Sequence, residues 1–163
     1  MRQKGFTLIE ILVVMAVGGI LMTGIVLSIY NVVWGSARSN SQVVALTDVN
    51  HAAWWLKKDI MMTQNTDLTD GVPQSSVTLS WTDYTGFEPE DARNHSSAYV
   101  LSGTELRRTY DGIVNIAGRN ITSIDFTQDG RVVTVVITAT GPGVSQRSET
   151  LKLIAYTRTE GVQ

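Results

Sequence analysis

The sequence predicts an α+β protein in which a long N-terminal helix packs on a C-terminal antiparallel β-sheet. Three observations support this fold class. An apolar run without charge extends from Ile11 to Val33, a helical pattern of apolar residues continues it to about Gln64, and polar and apolar residues then alternate between turn sequences. The 163 residues are enough for one modest domain, which excludes a multidomain enzyme.

The composition argues against nucleic-acid binding, metal binding and catalysis. The chain has 13 Lys and Arg residues against 15 Asp and Glu residues, a net charge of −2, and no basic run longer than two residues. It has no cysteine, so it forms neither a disulfide nor a zinc–thiolate site. Its histidines, His51 and His95, are far apart and lack serine or aspartate at a catalytic spacing. We therefore expect no nucleic-acid partner, no cofactor, no metal and no enzymatic activity.

The apolar run 11–33 has the length of a membrane-spanning helix. Arg2 and Lys4 precede it and only Arg38 follows it closely, so the positive-inside rule places the N-terminus in the cytoplasm. A cleaved secretory signal is the alternative, but the run is too long for an ordinary one. We expect a single-pass protein of the cytoplasmic membrane with its C-terminal region outside the cytoplasm.

An amphipathic pattern predicts that the same helix continues beyond the membrane. No proline occurs before Pro73, so one helix can run from near Phe6 to about Gln64, with 6–33 as its membrane half and 34–64 as its amphipathic half. The stripe expected to cover the sheet consists of Leu46, Val49, Ala53, Leu56 and Ile60. Trp54 and Trp55 lie too far past the span for an interfacial belt and are expected to pack on the sheet.

Residues 65–163 are expected to form the sheet region. The predicted strands are 76–82, 98–101, 104–110, 113–116, 121–127, 131–140 and 148–157. Asp129-Gly130 is the strongest turn between them, because both residues tolerate a positive φ. The result is an antiparallel meander whose apolar face the amphipathic half of the helix can cover.

The stretch 83–97 is predicted to be a long irregular loop. Its acidic residues, Asp83, Glu88, Glu90 and Asp91, have the oxygen chemistry of a calcium site but not the spacing of one, so we expect no metal there. His95 in the same stretch is expected to be a surface histidine.

Glu10 stands at the start of the apolar run, where a carboxylate is costly and therefore points to a function. It ends the segment Gly5-Phe6-Thr7-Leu8-Ile9-Glu10, which follows a short basic leader. At every position this segment resembles the N-terminal motif of type IV prepilins and type II secretion pseudopilins. The resemblance implies the pilin-like fold, a helical spine packed on a C-terminal sheet.

The resemblance also implies processing and assembly. Prepilin peptidase would remove the leader, residues 1–5, by cutting after Gly5, and would methylate the new N-terminal amine of Phe6. Glu10 would then pair with the N-terminal ammonium of a neighbouring subunit. Such a pair would compensate a charge in apolar surroundings and fix the register between subunits.

Within this family the sequence looks most like a minor pseudopilin. The end of the predicted spine, Leu56 to Ile60, resembles minor pseudopilins of the J class and related minor pilins, and the lack of a cysteine pair differs from many type IVa major pilins. Asp59 in that segment either bridges to the sheet or is a solvated helix charge, and the solvated position is favoured.

The expected function is that of a structural subunit of a type II secretion pseudopilus or type IV pilus-like filament, assembled through its N-terminal helix to support protein secretion. The expected partners are prepilin peptidase, other pilins or pseudopilins, the inner-membrane assembly platform and membrane lipid. Two alternatives stay open. One is a minor pilin of a type IV pilus that serves adhesion, motility or DNA uptake, and the other is an envelope enzyme or binding protein anchored by its signal.

Overall fold

The computed structural model describes residues 7–84, 92–144 and 146–158. Within these ranges the chain forms one helix, α1 (Leu8–Met62), and then eight strands: β1 (Asn65–Thr66), β2 (Ser76–Tyr84), β3 (Ala92–Ser102), β4 (Glu105–Tyr110), β5 (Ile113–Gly118), β6 (Ile121–Asp129), β7 (Val132–Thr140) and β8 (Ser148–Tyr156). The chain divides into two compact units between Ser39 and Asn40, and α1 contributes to both.

The first unit contains the N-terminal part of α1, whose apolar side chains are exposed. The helix contains a segment that is long and apolar enough to cross a membrane, and none of this segment is buried in the described structure. The hydroxyls of Thr23 and Ser28 donate to the carbonyls of Gly19 and Gly24, each at 2.9 Å. These bonds satisfy the polar side chains within the helix itself, as a lipid environment requires.

The second unit contains two antiparallel sheets, with strand orders β1-β2-β3-β4-β5 and β6-β7-β8. The predicted antiparallel pairing is confirmed, and Asp129-Gly130 joins β6 to β7 with Gly130 at a φ of 56°. The sequence does not predict the division into two sheets. The division lies between β5 and β6, where Asn120 adopts a φ of 51°.

The prediction of an irregular loop at 83–97 is wrong for 83–84 and 92–97, and residues 85–91 lie outside the described residues. β2 extends to Tyr84 and β3 begins at Ala92, and the two strands pair through both of these residues without a register shift. The alternation is hidden in the sequence because the inward positions of this part of β3 carry His95 and Ser97 instead of aliphatic residues.

The core of the second unit forms between one face of α1 and the inner faces of both sheets. The predicted helix stripe is correct for Val49, Ala53, Leu56 and Ile60 but wrong for Leu46, which is 49% exposed. The buried positions begin at Ser41 and include Ala45 in place of Leu46, and they follow steps of three and four along the helix. The sheets supply Val77, Leu79, Tyr99, Leu106, Phe126, Val133, Val135 and Ile137 to the same core.

Two glycines allow the sheets to approach the helix closely. A Cβ on Gly141 would lie 1.8 Å from the carbonyl oxygen of Ser41, and a Cβ on Gly118 would lie 3.0 Å from the Cβ of Ala52. The buried Ser41 hydroxyl also accepts a hydrogen bond from the N–H of Arg147 at 3.0 Å. The connection between β7 and β8 therefore rests directly on the helix backbone.

The two adjacent tryptophans of α1 have different environments. Trp55 packs against the core as predicted, whereas Trp54 is 57% exposed, so the predicted packing of Trp54 on the sheet is wrong. Successive helix positions differ by about 100° in direction, and Trp55 is the one of the two that turns towards the core. The Trp54 ring instead meets Trp55 edge-on, with 4.8 Å between the ring centroids.

Candidate processing and assembly site

Thr7 and Glu10 close the first turn of α1 by reciprocal hydrogen bonds. The backbone N–H and the hydroxyl of Thr7 both donate to Oε2 of Glu10, at 2.9 and 3.0 Å. In return, the N–H of Glu10 donates to the Thr7 hydroxyl at 3.4 Å. Thr7 is therefore the N-cap and Glu10 the third helical residue, which is the arrangement of a capping box.

The environment of Glu10 differs from the expected one, because its carboxylate forms hydrogen bonds within its own chain. On the sequence alone, Glu10 is a charge that only a neighbouring subunit can satisfy, but it has partners within its own chain. An acid in the first turn is also favoured by the helix dipole. The pattern Thr-x-x-Glu before an apolar run is the sequence signal for this cap.

Glu10 retains one carboxylate oxygen for a further partner. Both hydrogen bonds from Thr7 use Oε2, and Oε1 accepts none from the part of the chain that the structure describes. Gly5 and Phe6, the predicted cleavage and methylation positions, lie outside the described residues.

Asp59 forms a second polar site, between α1 and the five-stranded sheet. Its side chain is buried, and Oδ2 accepts hydrogen bonds from the hydroxyls of Ser97 and Tyr99 at 2.6 and 2.7 Å. Nε of Arg108 donates to Oδ2 at 2.6 Å and Nη2 donates to Oδ1 at 3.0 Å. The favoured prediction of a solvated Asp59 is wrong, and the alternative of a bridge to the sheet is correct.

The Asp59 carboxylate alters the ionisation of the groups around it. Burial raises the pKa of the Tyr99 phenol, and the negative charge of Asp59 raises it further. Burial opposes the charge of Arg108, but the hydrogen bonds and charge of Asp59 raise the pKa of the guanidinium above its ordinary value. Arg108 also lies between the rings of Trp55 and Tyr110, 4.8 and 4.6 Å from their centroids. This arrangement holds an ion pair in place between the helix and the sheet.

His95 and Asp111 form a third polar pair, between β3 and the turn that follows β4. Nδ1 of His95 lies 2.6 Å from Oδ2 of Asp111, and Oδ1 accepts a hydrogen bond from the N–H of Ser96 at 2.8 Å. These two hydrogen bonds hold the pKa of Asp111 below its ordinary value. The His95 ring is half-buried and stacks on Tyr110. The prediction that His95 lies in a loop is wrong, because it lies in β3.

Among the described residues, no group of three His, Cys, Asp or Glu side chains is placed to hold a metal ion. Three of the acidic residues considered for calcium, Glu88, Glu90 and Asp91, lie outside the described ranges, and Asp83 is exposed. His51 is exposed on α1, where it accepts a hydrogen bond from the ring N–H of Trp55 at 3.3 Å.

Residues 1–26 match the family model of the prokaryotic N-terminal methylation motif, which is the signal of type IV prepilins and pseudopilins. The motif ends inside the capped apolar helix. The apolar helix and the antiparallel sheets that follow it form an α+β, pilin-like architecture. The chain carries the type IV prepilin and pseudopilin signal, and the match does not distinguish the J class from other members.

The motif implies processing by prepilin peptidase and assembly with other pilins, and together with the apolar helix it indicates a membrane-anchored protein. No curated protein and no solved structure matches the chain.

Proposed function

We propose that the protein is a minor pseudopilin, a non-enzymatic structural subunit of a type II secretion pseudopilus or a related type IV pilus-like filament. The observation that carries this proposal is the methylation motif at residues 1–26, placed at the start of a capped apolar helix. A pseudopilin or minor pilin is favoured over a type IVa major pilin because the chain lacks the cysteine pair of many such pilins.

Processing precedes assembly in this proposal. Prepilin peptidase cuts after Gly5 on the cytoplasmic side and methylates the amine of Phe6. Loss of Arg2 and Lys4 changes the net charge from −2 to −4, since −2 − 2 = −4. The apolar run 11–33 then holds the mature chain in the cytoplasmic membrane, with the sheets outside the cytoplasm, until the assembly platform incorporates it.

Glu10 has two roles in this proposal: it caps α1 in the single chain, and it forms an ion pair with a neighbouring subunit in the filament. In the single chain, Oε2 closes the capping box with Thr7. Oε1 is left for the N-terminal ammonium of a neighbouring subunit, so assembly adds a partner without breaking the cap. A charge at the centre of a membrane helix costs about 2.5 to 3.5 kcal/mol, and less near its ends. An ammonium that offsets this cost favours one axial register between subunits.

The test is the intact mass and N-terminal sequence of the chain recovered from bacterial membranes. We expect the chain to lack residues 1–5 and to carry one added methyl group on Phe6. Gly5→Leu should leave the leader attached, because the peptidase must accept a small side chain next to the cut, whereas Gly35→Ala should be processed normally. A wild-type chain that still begins at Met1 would refute the proposal and favour an anchored envelope protein.

A further inference from the structure

A small polar cavity lies at the edge of the five-stranded sheet, where α1 ends and β1 begins. It belongs to the second unit and has a volume of about 210 Å³. The cavities that bind drug-sized molecules measure about 300 to 1,000 Å³, so this one takes a smaller molecule. No Asp, Glu, Lys or Arg is among the described residues that line it, which include Gln64, Ser80, Trp81, Thr82, Asn94 and His95.

Trp81 lines this cavity and contributes a buried donor that has no acceptor. The residue is 4% exposed, and its ring N–H makes no hydrogen bond. Within the part of the chain that the structure describes, it is the only buried side-chain nitrogen or oxygen in this state. Such groups are rare in native proteins, because burial removes the water that would otherwise bind them. The Trp81 ring packs against His95 and Tyr110, whose ring centroids lie 5.9 and 6.0 Å from its own.

Two side-chain amides add further donors to the cavity. Oε1 of Gln64 accepts a hydrogen bond from the N–H of Thr82 at 2.9 Å, and Oδ1 of Asn94 accepts one from the Thr82 hydroxyl at 2.8 Å. Both amide oxygens are thus used within the chain. The amide nitrogens, Nε2 of Gln64 and Nδ2 of Asn94, donate no hydrogen bond to the described residues. The cavity therefore presents N–H groups that need acceptor oxygens.

His95 supplies a complementary acceptor. Its Nδ1 lies 2.6 Å from Oδ2 of Asp111, and an ionised carboxylate only accepts hydrogen bonds, so Nδ1 carries a proton. In the neutral ring Nε2 then has a lone pair, and the described residues donate no hydrogen bond to it. A molecule in the cavity therefore meets several donors and one acceptor.

The backbone at this edge of β2 is already paired, which disfavours an added peptide strand as the ligand. The carbonyl of Ser80 accepts from the N–H of Gln64 at 3.0 Å, and the Gln64 side chain accepts the N–H of Thr82. Farther along the edge, Asp67 binds both backbone groups of Thr78, at 3.2 and 2.7 Å. An added strand would bind through these same backbone groups. Recognition at this cavity therefore depends on side chains.

We propose that the cavity binds one residue of a neutral saccharide. A sugar hydroxyl accepts and donates at the same oxygen, which matches a set of N–H donors with one acceptor nitrogen. A charged ligand is disfavoured, because no ionised Asp, Glu, Lys or Arg is among the described lining residues to compensate it. Asn94 is exposed and free to turn, so a ligand oxygen can pass it and supply the acceptor that the Trp81 N–H lacks.

Binding should be weak because the cavity is small. One sugar ring with a few hydrogen bonds is expected to bind with a dissociation constant of about 1 mM. The proposed position of the second unit outside the cytoplasm would expose the cavity to the saccharides of the cell envelope. Sugar binding itself depends on neither processing nor assembly, so its failure and the failure of the proposed function are distinguishable.

Saturation-transfer NMR of the full chain, in a detergent without a sugar headgroup, tests the proposal. Glucose, galactose, mannose and their N-acetyl derivatives are titrated, and we expect saturable binding of at least one of them at about 1 mM. Binding of the N-acetyl sugars alone would support recognition of the acetamido carbonyl, and equal binding of the parent sugars would support recognition of the hydroxyls. The absence of saturable binding for every sugar would refute the proposal.

Three variants show whether the sugar binds in this cavity. Asn94→Ala removes a donor at an exposed position, so the chain should fold, and the affinity should fall by about fivefold or more. Trp81→Phe keeps an aromatic ring without the N–H and should weaken binding to a similar extent. Asn115→Ala removes an exposed amide of β5, outside the cavity, and should bind as wild type does. Sugar binding that Asn94→Ala and Trp81→Phe leave unchanged would overturn the proposal.

Discussion

Asp59 and Arg108 are joined across the interface between α1 and β4 by two hydrogen bonds of 2.6 and 3.0 Å. The side chains are 1% and 9% exposed, so the pair is almost withdrawn from water. Removing two charges from water is costly, and their attraction, with the hydroxyls of Ser97 and Tyr99, offsets that cost. The pair therefore fixes the position of the helix on the sheet more than it adds to the free energy of unfolding.

The second unit should fold without the membrane half of the helix. The buried positions of α1 begin at Ser41, so a chain that starts at Tyr30 keeps the whole helix face that meets the sheets. We expect this truncated chain to be soluble and to unfold in one cooperative transition, measured by tryptophan fluorescence in urea. Failure to show any transition would mean that the membrane half is part of the folding unit.

Asp59→Asn should destabilise the truncated chain by about 3 to 5 kcal/mol, because it leaves the buried guanidinium of Arg108 without its counter-charge. The double variant Asp59→Asn with Arg108→Met removes both charges, keeps an oxygen acceptor for the hydroxyls of Ser97 and Tyr99, and should recover most of that loss. Lys57→Gln, at an exposed position of the same helix, is the control and should change the free energy of unfolding by less than about 0.5 kcal/mol. A double variant as unstable as Asp59→Asn would show that the loss is not electrostatic.

Gly141→Ala should be among the most damaging single-methyl additions in the chain. The added Cβ meets the backbone oxygen of Ser41, which cannot move without displacing the helix, so we expect a loss of about 3 kcal/mol or more in urea unfolding. Gly35→Ala adds the same methyl group where nothing lies within 4 Å and should be neutral. Equal effects of the two substitutions would contradict the close approach of the helix and the β7–β8 connection.

Asp111 should make the stability of the truncated chain depend on pH. The pKa of Asp111 is lowered in the folded state, so its contribution is present above the unfolded value, near 3.8, and is lost as the pH falls through the folded value. Asp111→Asn should therefore lower the melting temperature at pH 6 and have a smaller effect in strong acid. A melting-temperature difference that does not shrink on acidification would mean that the carboxylate charge is not involved. His95 and Tyr110 face this carboxylate, and their substitution should alter the same profile.

The sequence predicts those features whose signal is local. The predicted helix ends, near Phe6 and Gln64, lie within two residues of the observed Leu8 and Met62. The turn at Asp129-Gly130 is likewise set by its own two residues. The capping box of Thr7 and Glu10 is also local and is readable as Thr-x-x-Glu.

The features that the sequence does not predict depend on residues distant in the chain. Asp59 receives its hydrogen bonds from residues 38 to 49 positions away, so nothing next to it in the sequence distinguishes it from a solvated helix charge. The pairing of β2 with the first residues of β3 is not predicted for a related reason. The inward-facing residue there, His95, is polar, and its partner Asp111 lies on the turn after β4. Tertiary contacts determine both the burial of Asp59 and the extent of the β2–β3 pairing.

The central claim is that the Glu10 carboxylate joins one subunit to the next, and its charge can be removed without removing the cap. Glu10→Gln keeps an amide oxygen for Thr7, as a capping box allows, but cannot form an ion pair with a neighbouring ammonium. Thr7→Ala is the complementary control, since it keeps the charge and loses the hydroxyl contacts. Both variants should reach the membrane, and mass spectrometry of each should establish cleavage after Gly5.

The most direct measurement is the fraction of processed chain that co-purifies with partner pseudopilins from membranes, compared between wild type, Glu10→Gln and Thr7→Ala. The account predicts that Glu10→Gln is cleaved and inserted normally but incorporated poorly, and that Thr7→Ala is incorporated nearly as well as wild type. Undiminished co-purification of Glu10→Gln would contradict the account, because it would show that the charge of Glu10 has no role in joining subunits.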